Sequence, residues 1–318
     1  APVAPPPPTA AASPATTDID LTGTIATRGA SLDVGVPLAD VTGTLSLDAA
    51  VRGGSLETVT GSIAAESMTV VGRPLRDLRA TLAKPAGKAE LRLTDVRAAL
   101  ADGELAGSAT ATYDDAPAAA APVPHKPAGR FAVDLVVRNA DAATVAQWTD
   151  PKKPLRGRLS ASLALEGSLT NPADRRGRGD MLAVGKEMYE LPLILGLAQI
   201  TNLALPITTP FTRATARYSV DGRQVTFEEI HVRGDTLLLT GNGRLDFDTK
   251  RVALTFTTDN PNAVQIPFIS ELWRGAQQEL LRINVRGTIE EPKVSAAPMG
   301  TFRTTIDEVL NGDAAQRR

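Results

Sequence analysis

The chain has 318 residues, a formal net charge of −2 and no cysteine. The absence of cysteine excludes disulfides, thiolate catalysis and thiolate-bound metals, and the balanced charge without a basic patch argues against nucleic acid as a partner. Aromatic residues make up only 4% of the sequence. Ala, Thr, Val, Leu and Gly dominate instead, and small or β-branched residues favour long, thin sheets over a thick globular core.

The N-terminal segment opens with APVAPPPP and lacks an initiator Met. We expect residues 1–17 to be an extended, disordered Pro/Ala linker, and the chain to be a piece of a longer protein. Residues 18–113 contain short alternating runs separated by Gly and Asp, which predict antiparallel strands with one apolar and one polar face. No helix is expected before residue 115.

A short sequence element, T-G-[ST]-[IL], recurs in this first part at Thr22–Ile25, Thr42–Leu45 and Thr60–Ile63. The starting positions lie 20 and then 18 residues apart. This spacing predicts a repeat with one β-hairpin per unit.

A second Ala/Pro segment, residues 114–129, is expected to be a linker or loop. The strand Arg130–Arg138 follows, and then a short helix over Asp141–Thr149, with Asp141 as the N-cap. Leu155–Leu169 alternates like another strand pair or one long strand.

The most apolar run of the chain is Tyr189–Pro206. Its periodicity predicts an amphipathic helix near residues 191–205, and at 1.5 Å per residue such a helix is too short to span a bilayer. Two interpretations stay open. The helix is either packed against a sheet as core, or it lies on a membrane or in an apolar groove.

The segment after Pro206 predicts a β-meander, with a hairpin at Asp221-Gly222 and a bulge at Glu228-Glu229. A second amphipathic helix is expected near residues 267–281, then a final strand over Ile283–Ile289 and a C-terminal helix and tail over 297–318. The apolar face of the meander is expected to consist of Leu237, Leu239, Leu245, Phe247, Val252, Leu254 and Phe256.

No recognisable catalytic motif is present. The sequence lacks G-x-S-x-G, a phosphate-binding GxxxxGK[ST] loop and HExxH, and it contains only two His. His231, between Glu229 and Arg233 in a predicted strand, is interpreted as a strand-surface residue. We therefore expect no enzyme activity, no cofactor and no metal site.

Several stretches, in this order, resemble the AsmA-like C-terminal family. They are LRGRLSASLALEGSLTNP at 155–172, GRGDMLAVGKEMYELPLILGLAQI at 177–200, DGRQVTFEEIHVRGDTLLLTGNGRLDF at 221–247 and LRINVRGTIEEPKV at 281–294. The resemblance covers residues 130–296, whereas residues 18–113 match only in texture.

The resemblance implies a mainly β protein in which a long, curled antiparallel sheet forms a β-groove or half-barrel, with a few short amphipathic helices. It further implies a periplasmic location, with an inner-membrane anchor upstream of this chain. The implied role is phospholipid transport and outer-membrane biogenesis, with acyl lipids, a membrane surface and envelope proteins as partners.

Under this interpretation the apolar residues of the meander become candidates for a lipid groove. The candidates for membrane contact are Leu193, Ile194, Leu197, Ile200, Leu203, Phe268, Leu272 and Trp273. The alternative function is a periplasmic structural or assembly scaffold that binds a protein partner and no lipid.

Overall fold

The computed structural model describes residues 18–33, 36–113, 129–148, 157–185, 211–234, 238–258, 281–289 and 291–298. These residues form one sheet of 15 strands, in which each strand pairs antiparallel with its neighbours in the sequence. The first and last strands do not pair with each other, so the sheet is open. The mainly β, antiparallel architecture predicted from the alternation is confirmed.

The strands are β1 (Ile19–Asp33), β2 (Pro37–Arg52), β3 (Ser55–Val70), β4 (Arg73–Lys84), β5 (Glu90–Leu100), β6 (Gly103–Tyr113), β7 (Gly129–Asp141), β8 (Arg158–Ser168), β9 (Arg176–Val184), β10 (Phe211–Asp221), β11 (Gln224–Gly234), β12 (Leu238–Asp246), β13 (Arg251–Thr258), β14 (Leu281–Thr288) and β15 (Pro292–Pro298).

Helical structure in the described residues is limited to α1 (Ala142–Gln147) and the 3-10 turn Pro172–Asp174. The predicted cap of α1 is present, because Asp141 Oδ2 accepts hydrogen bonds from the Thr144 backbone N–H at 2.9 Å and from the Thr144 hydroxyl at 2.8 Å. The predicted helices near 191–205 and 267–281 lie outside the described residues. The same holds for residues 1–17 and for most of the 114–129 segment.

The repeated T-G-[ST]-[IL] element lies in single strands, not in hairpins. Its three copies fall in β1, β2 and β3, which are 15, 16 and 16 residues long. The prediction of one hairpin per unit is therefore wrong. The glycine of each element does not end the strand, and Gly23 and Gly61 both pair in regular register with Leu47.

The segments before and after residues 114–128 belong to one sheet. Strands β6 and β7 pair without a break from Glu104 with Arg138 to Tyr113 with Gly129. The stretch that alternated like a strand pair or one long strand is a single strand, β8.

The first hairpin of the C-terminal meander lies where the sequence predicts it, at Asp221-Gly222. Strands β10 and β11 meet at Gly222, which has a φ of 58°. The register of β11 shifts on both sides at Glu228-Glu229, so the predicted bulge is confirmed. The sequence did not predict β15. This strand includes residues 297 and 298, which were expected to belong to the C-terminal helix and tail, and residues 299–318 lie outside the described residues. Proline at both ends of β15 is compatible with a short edge strand.

Candidate functional site

One row of paired residues crosses all 15 strands, and each member is Gly, Ala, Val, Leu or Pro. Directly paired residues point to the same side of a sheet, so the row defines what we call the apolar face. With about 4.8 Å between strands, its fourteen intervals give a length of roughly 67 Å. The row consists of Gly23, Leu47, Gly61, Leu82, Leu93, Ala109, Val133, Leu165, Gly177, Val220, Val225, Leu245, Val252, Gly287 and Pro292.

The neighbouring row points to the opposite side, which we call the polar face. In β1–β5 it is a ladder of hydroxyl side chains: Thr24, Ser46, Ser62, Thr81 and Thr94. In β9–β15 it is mostly cationic or hydroxylated: Arg178, Ser219, Thr226, Arg244, Ala253, Arg286 and Lys293. The sheet therefore has one apolar and one polar face over β1–β5 and β9–β15.

Glycines on the apolar face let large side chains of the next strand lie flat. A Cβ at Gly177 would lie 2.8 Å from Leu165 Cδ1. A Cβ at Gly179 would lie 2.5 Å from the hydroxyl oxygen of Tyr218, which crosses that glycine to donate a hydrogen bond to the Ser162 carbonyl at 2.8 Å. Because these side chains lie flat over glycines, they project less far from the backbone of the sheet.

The predicted groove residues fall mostly in the best-buried part of the apolar face. Leu239, Val252, Leu254 and Phe256 are buried, and all belong to a core cluster with Ile283 and Val285, which are 0% exposed. Leu245 is half-buried, Phe247 is 59% exposed, and Leu237 lies outside the described residues. The face is thus closed to solvent over β12–β14.

The accessible part of the apolar face lies over β2–β9, where the sequence assigned no site. Val59 and Leu75 are buried there, but most of its large aliphatic side chains are half-buried. The half-buried ones include Leu47, Ile63, Leu82, Leu93, Val133, Leu135, Leu163 and Leu165. On the edge strand β1 the corresponding residues Ile19, Leu21 and Ile25 are exposed. The sequence could have located this surface, since apolar residues alternate with polar ones in the strands on both sides of residues 114–128.

A set of mid-strand bulges was also missed. Asp40, Asp77, Asp95 and Asn139 have φ values of 52–54°, and the register shifts at each of them. Asp and Asn tolerate this left-handed conformation better than most residues. The signal was an aliphatic residue two positions before each one and another directly after it: LADV at 38–41, LRDL at 75–78, LTDV at 93–96 and VRNA at 137–140.

Each bulge places both flanking aliphatic residues on one face. Leu38 and Val41 pack in the same cluster, as do Leu75 and Leu78. In a regular strand, residues three positions apart point to opposite faces. The extra residue of the bulge brings them to the same face. The bulges therefore keep the apolar face continuous.

A shallow cavity of about 610 Å³ crosses β7–β11, lined largely by side chains of the polar face. Arg217 in it lies 3.6 Å from Asp180 and 3.9 Å from Glu229. His231 Nε2 lies 2.9 Å from Glu229 Oε1, and its Nδ1 is 3.2 Å from the Thr240 hydroxyl. The carboxylates of Asp180 and Glu229 are thus both paired, and this arrangement is that of a hydrated strand surface with charge pairs.

Further features bear on membranes and metals. No helix among the described residues is long and apolar enough to cross a bilayer. Within the same residues, no group of three or more His, Asp or Glu side chains could hold a metal ion. The predicted membrane-contact residues of the 191–205 and 267–281 segments all lie outside the described ranges.

The chain was compared with known protein families, curated proteins and solved structures. No family model, no curated protein and no solved structure matches the chain.

Proposed function

We propose that this protein is a non-enzymatic cell-envelope protein of AsmA-like type, whose apolar face holds acyl chains. In this role it supports phospholipid transport between the inner and outer membranes and outer-membrane biogenesis. The observation that carries the proposal is the unbroken apolar row across 15 strands, backed by a polar face. A linear apolar surface of this length fits a series of acyl chains better than it fits one compact ligand.

The energetics favour acyl chains on such a surface. Each buried methylene contributes roughly 0.8 kcal/mol, so a chain that lies along several strands gains many small increments without any specific polar contact. Bulges bend strands and increase their twist. The bulges in β2, β4, β5, β7 and β11 support a sheet that curls into a groove or half-barrel.

The entry surface for lipid is proposed to be the half-buried stretch over β2–β9. Phe247, which follows β12 on the apolar parity and is exposed, would add a separate apolar contact. The apolar segments near 191–205 and 267–281 are proposed as the membrane contacts. The periplasmic location, and an inner-membrane anchor upstream, belong to the same proposal.

A second candidate function is a periplasmic scaffold that binds a protein partner and no lipid. It is favoured by the burial of Leu239, Phe256 and Ile283, because side chains this well covered behave as an ordinary core. The two candidates differ in the fate of the β2–β9 surface, which lipid would occupy in one and a protein partner in the other.

Two adjacent substitutions test the proposal. Leu135 and Val136 are both half-buried aliphatic residues of β7, and they point to opposite faces. The chain and its L135D and V136D variants would be purified from a bacterial envelope by native extraction, checked for fold by circular dichroism, and analysed for bound lipid by mass spectrometry.

We expect stoichiometric phospholipid on the unmodified chain and on V136D, and a severalfold loss on L135D. Folded protein without lipid in all three preparations would instead support the scaffold. Equal loss of lipid in the two variants would mean that the apolar face is not the binding surface.

A further inference from the structure

The side of Arg175 that meets the sheet belongs to the apolar face, because Arg175 is two positions before Gly177. Arg175 follows the 3-10 turn, and its carbonyl accepts a hydrogen bond from the Gly222 N–H at 2.7 Å, which fixes its backbone beside the next hairpin. Its guanidinium carbon lies 5.9 Å from the ring centre of Phe131. Phe131 is two positions before Val133 in β7 and therefore points to the apolar face.

A glycine makes room for this side chain. Gly167 pairs with Phe131, and it is two positions after Leu165, so it lies on the same face. A Cβ at Gly167 would lie 2.9 Å from Arg175 Cα and 3.0 Å from Arg175 Cγ. The stem of Arg175 thus occupies the space above Gly167, and its charged end reaches the neighbouring ring.

Arg175 differs from its neighbours Arg176 and Arg223 in having no acidic partner. Arg176 pairs with Asp221 and Arg223 pairs with Asp248, each at 2.5 Å. No carboxylate among the described residues pairs with Arg175. Its Nε is buried and has no hydrogen-bond partner among the described residues. The same is not true of its two terminal nitrogens.

A cation held on an apolar face with one dehydrated N–H is a good partner for an anion. Hydrogen bonds to charged groups are stronger than neutral ones, and the planar guanidinium matches the oxygen spacing of phosphate. We propose that Arg175 binds the phosphate of a glycerophospholipid whose acyl chains lie along the neighbouring apolar row, beginning at Val133, Leu165 and Gly177. This inference rests on the proposed function and names the headgroup chemistry of the same site.

The test compares two acyl-matched lipids, phosphatidylglycerol and diacylglycerol; only the first carries a phosphate, within its phosphoglycerol headgroup. Each would be offered in detergent micelles to the unmodified chain and to R175Q, R175K and R176Q, and retention would be measured by native mass spectrometry. Arg176 is the matched control, because it is the adjacent arginine but is already paired with Asp221.

We expect R175Q to lower retention of phosphatidylglycerol about tenfold and to leave diacylglycerol unchanged. R175K should recover part of the loss, and R176Q should behave like the unmodified chain. If R175Q fails to fold, G167A replaces it, because the added methyl displaces the Arg175 stem while keeping its charge. That variant should also lose the preference for phosphatidylglycerol.

The outcomes separate this inference from the proposed function. If the unmodified chain retains neither lipid, the lipid-binding face itself is refuted. If it retains both lipids equally, or if R175Q and R176Q lose phosphatidylglycerol equally, lipid binding stands and the Arg175 phosphate site is wrong. Inorganic phosphate serves as a final arm: if it displaces phosphatidylglycerol at millimolar concentration, Arg175 is a site for free phosphate and not for a lipid headgroup.

Discussion

Replacing Leu239 with alanine should destabilise the C-terminal strands far more than the same change at Leu21. Leu239 is 0% exposed and belongs to the main core cluster, whereas Leu21 on β1 is 51% exposed. Leucine to alanine removes three carbon groups, worth about 2.4 kcal/mol of transfer free energy when fully buried. The cavity left at Leu239 adds to this, for a total of about 3 kcal/mol within a usual range of 2–5. At Leu21 about half the transfer is lost, so roughly 1 kcal/mol is expected.

Hydrogen exchange measured by mass spectrometry is the appropriate assay. Each strand contacts mainly its neighbours in the sequence, so the sheet can open in sections, and a global unfolding curve would average over them. A loss of 3 kcal/mol corresponds to about a hundredfold faster exchange in peptides from β12–β14. The L21A variant serves as the control and should accelerate exchange only in β1 and β2, by less than tenfold.

Comparable acceleration of exchange by L239A and L21A in their own strands would contradict this prediction. Such a result would mean that the apolar face over β12–β14 is as open as the edge strand. The exposure gradient along the sheet would then give no guide to where lipid can enter.

Three further predictions concern a bulge residue, a cation–π contact and a helix cap. Asp77 has a φ of 52°, so D77G should stabilise β4 and β5 by up to about 1 kcal/mol while D77V destabilises them by 1–2 kcal/mol, as measured by hydrogen exchange. Arg73 lies 5.0 Å from the Trp148 ring centre, so R73A in a W273F background should shift the Trp148 emission to longer wavelength. Burial raises the pKa of Asp141, but hydrogen bonds from the first turn of α1 outweigh it and hold the pKa below its usual range. The ionised carboxylate accepts the hydrogen bonds that lower this pKa, so Asp141 should stabilise α1 at neutral pH and lose that effect as the pH falls through its lowered pKa. Trp148 emission should change over that acidic range in the unmodified chain and not in D141N.

Local chemistry explains why several elements could be predicted. The hairpin at Gly222 needs a positive φ at that position, which glycine provides without a Cβ clash. The cap of α1 is a local hydrogen bond between Asp141 and Thr144. The bulge at Glu228-Glu229 changes the parity of the strand, and parity is visible in the sequence.

Other features depend on parts of the chain that are distant in sequence. The closed core around Leu239 and the accessible surface around Leu135 have the same alternating pattern, so burial there is set by tertiary packing and not by periodicity. Arg175 looks like any loop arginine until the pairing of β7 with β8 brings Gly167 and Phe131 beneath it. Strand β15 begins and ends with proline, which disfavours a strand in the middle of a sheet and is tolerated only where an edge leaves the N–H position unpaired.

The central claim is that acyl chains lie on the apolar face, and the absence of native cysteine allows a direct test. Leu163 and Ala164 are adjacent in β8 and point to opposite faces, since Leu163 pairs with Leu135 and Ala164 with Asp134. The L163C and A164C variants would each carry one fluorophore and be mixed with phospholipid brominated on its acyl chains. We predict strong quenching of the label at position 163 and little at position 164. Equal quenching at both positions, or none at position 163, would contradict it.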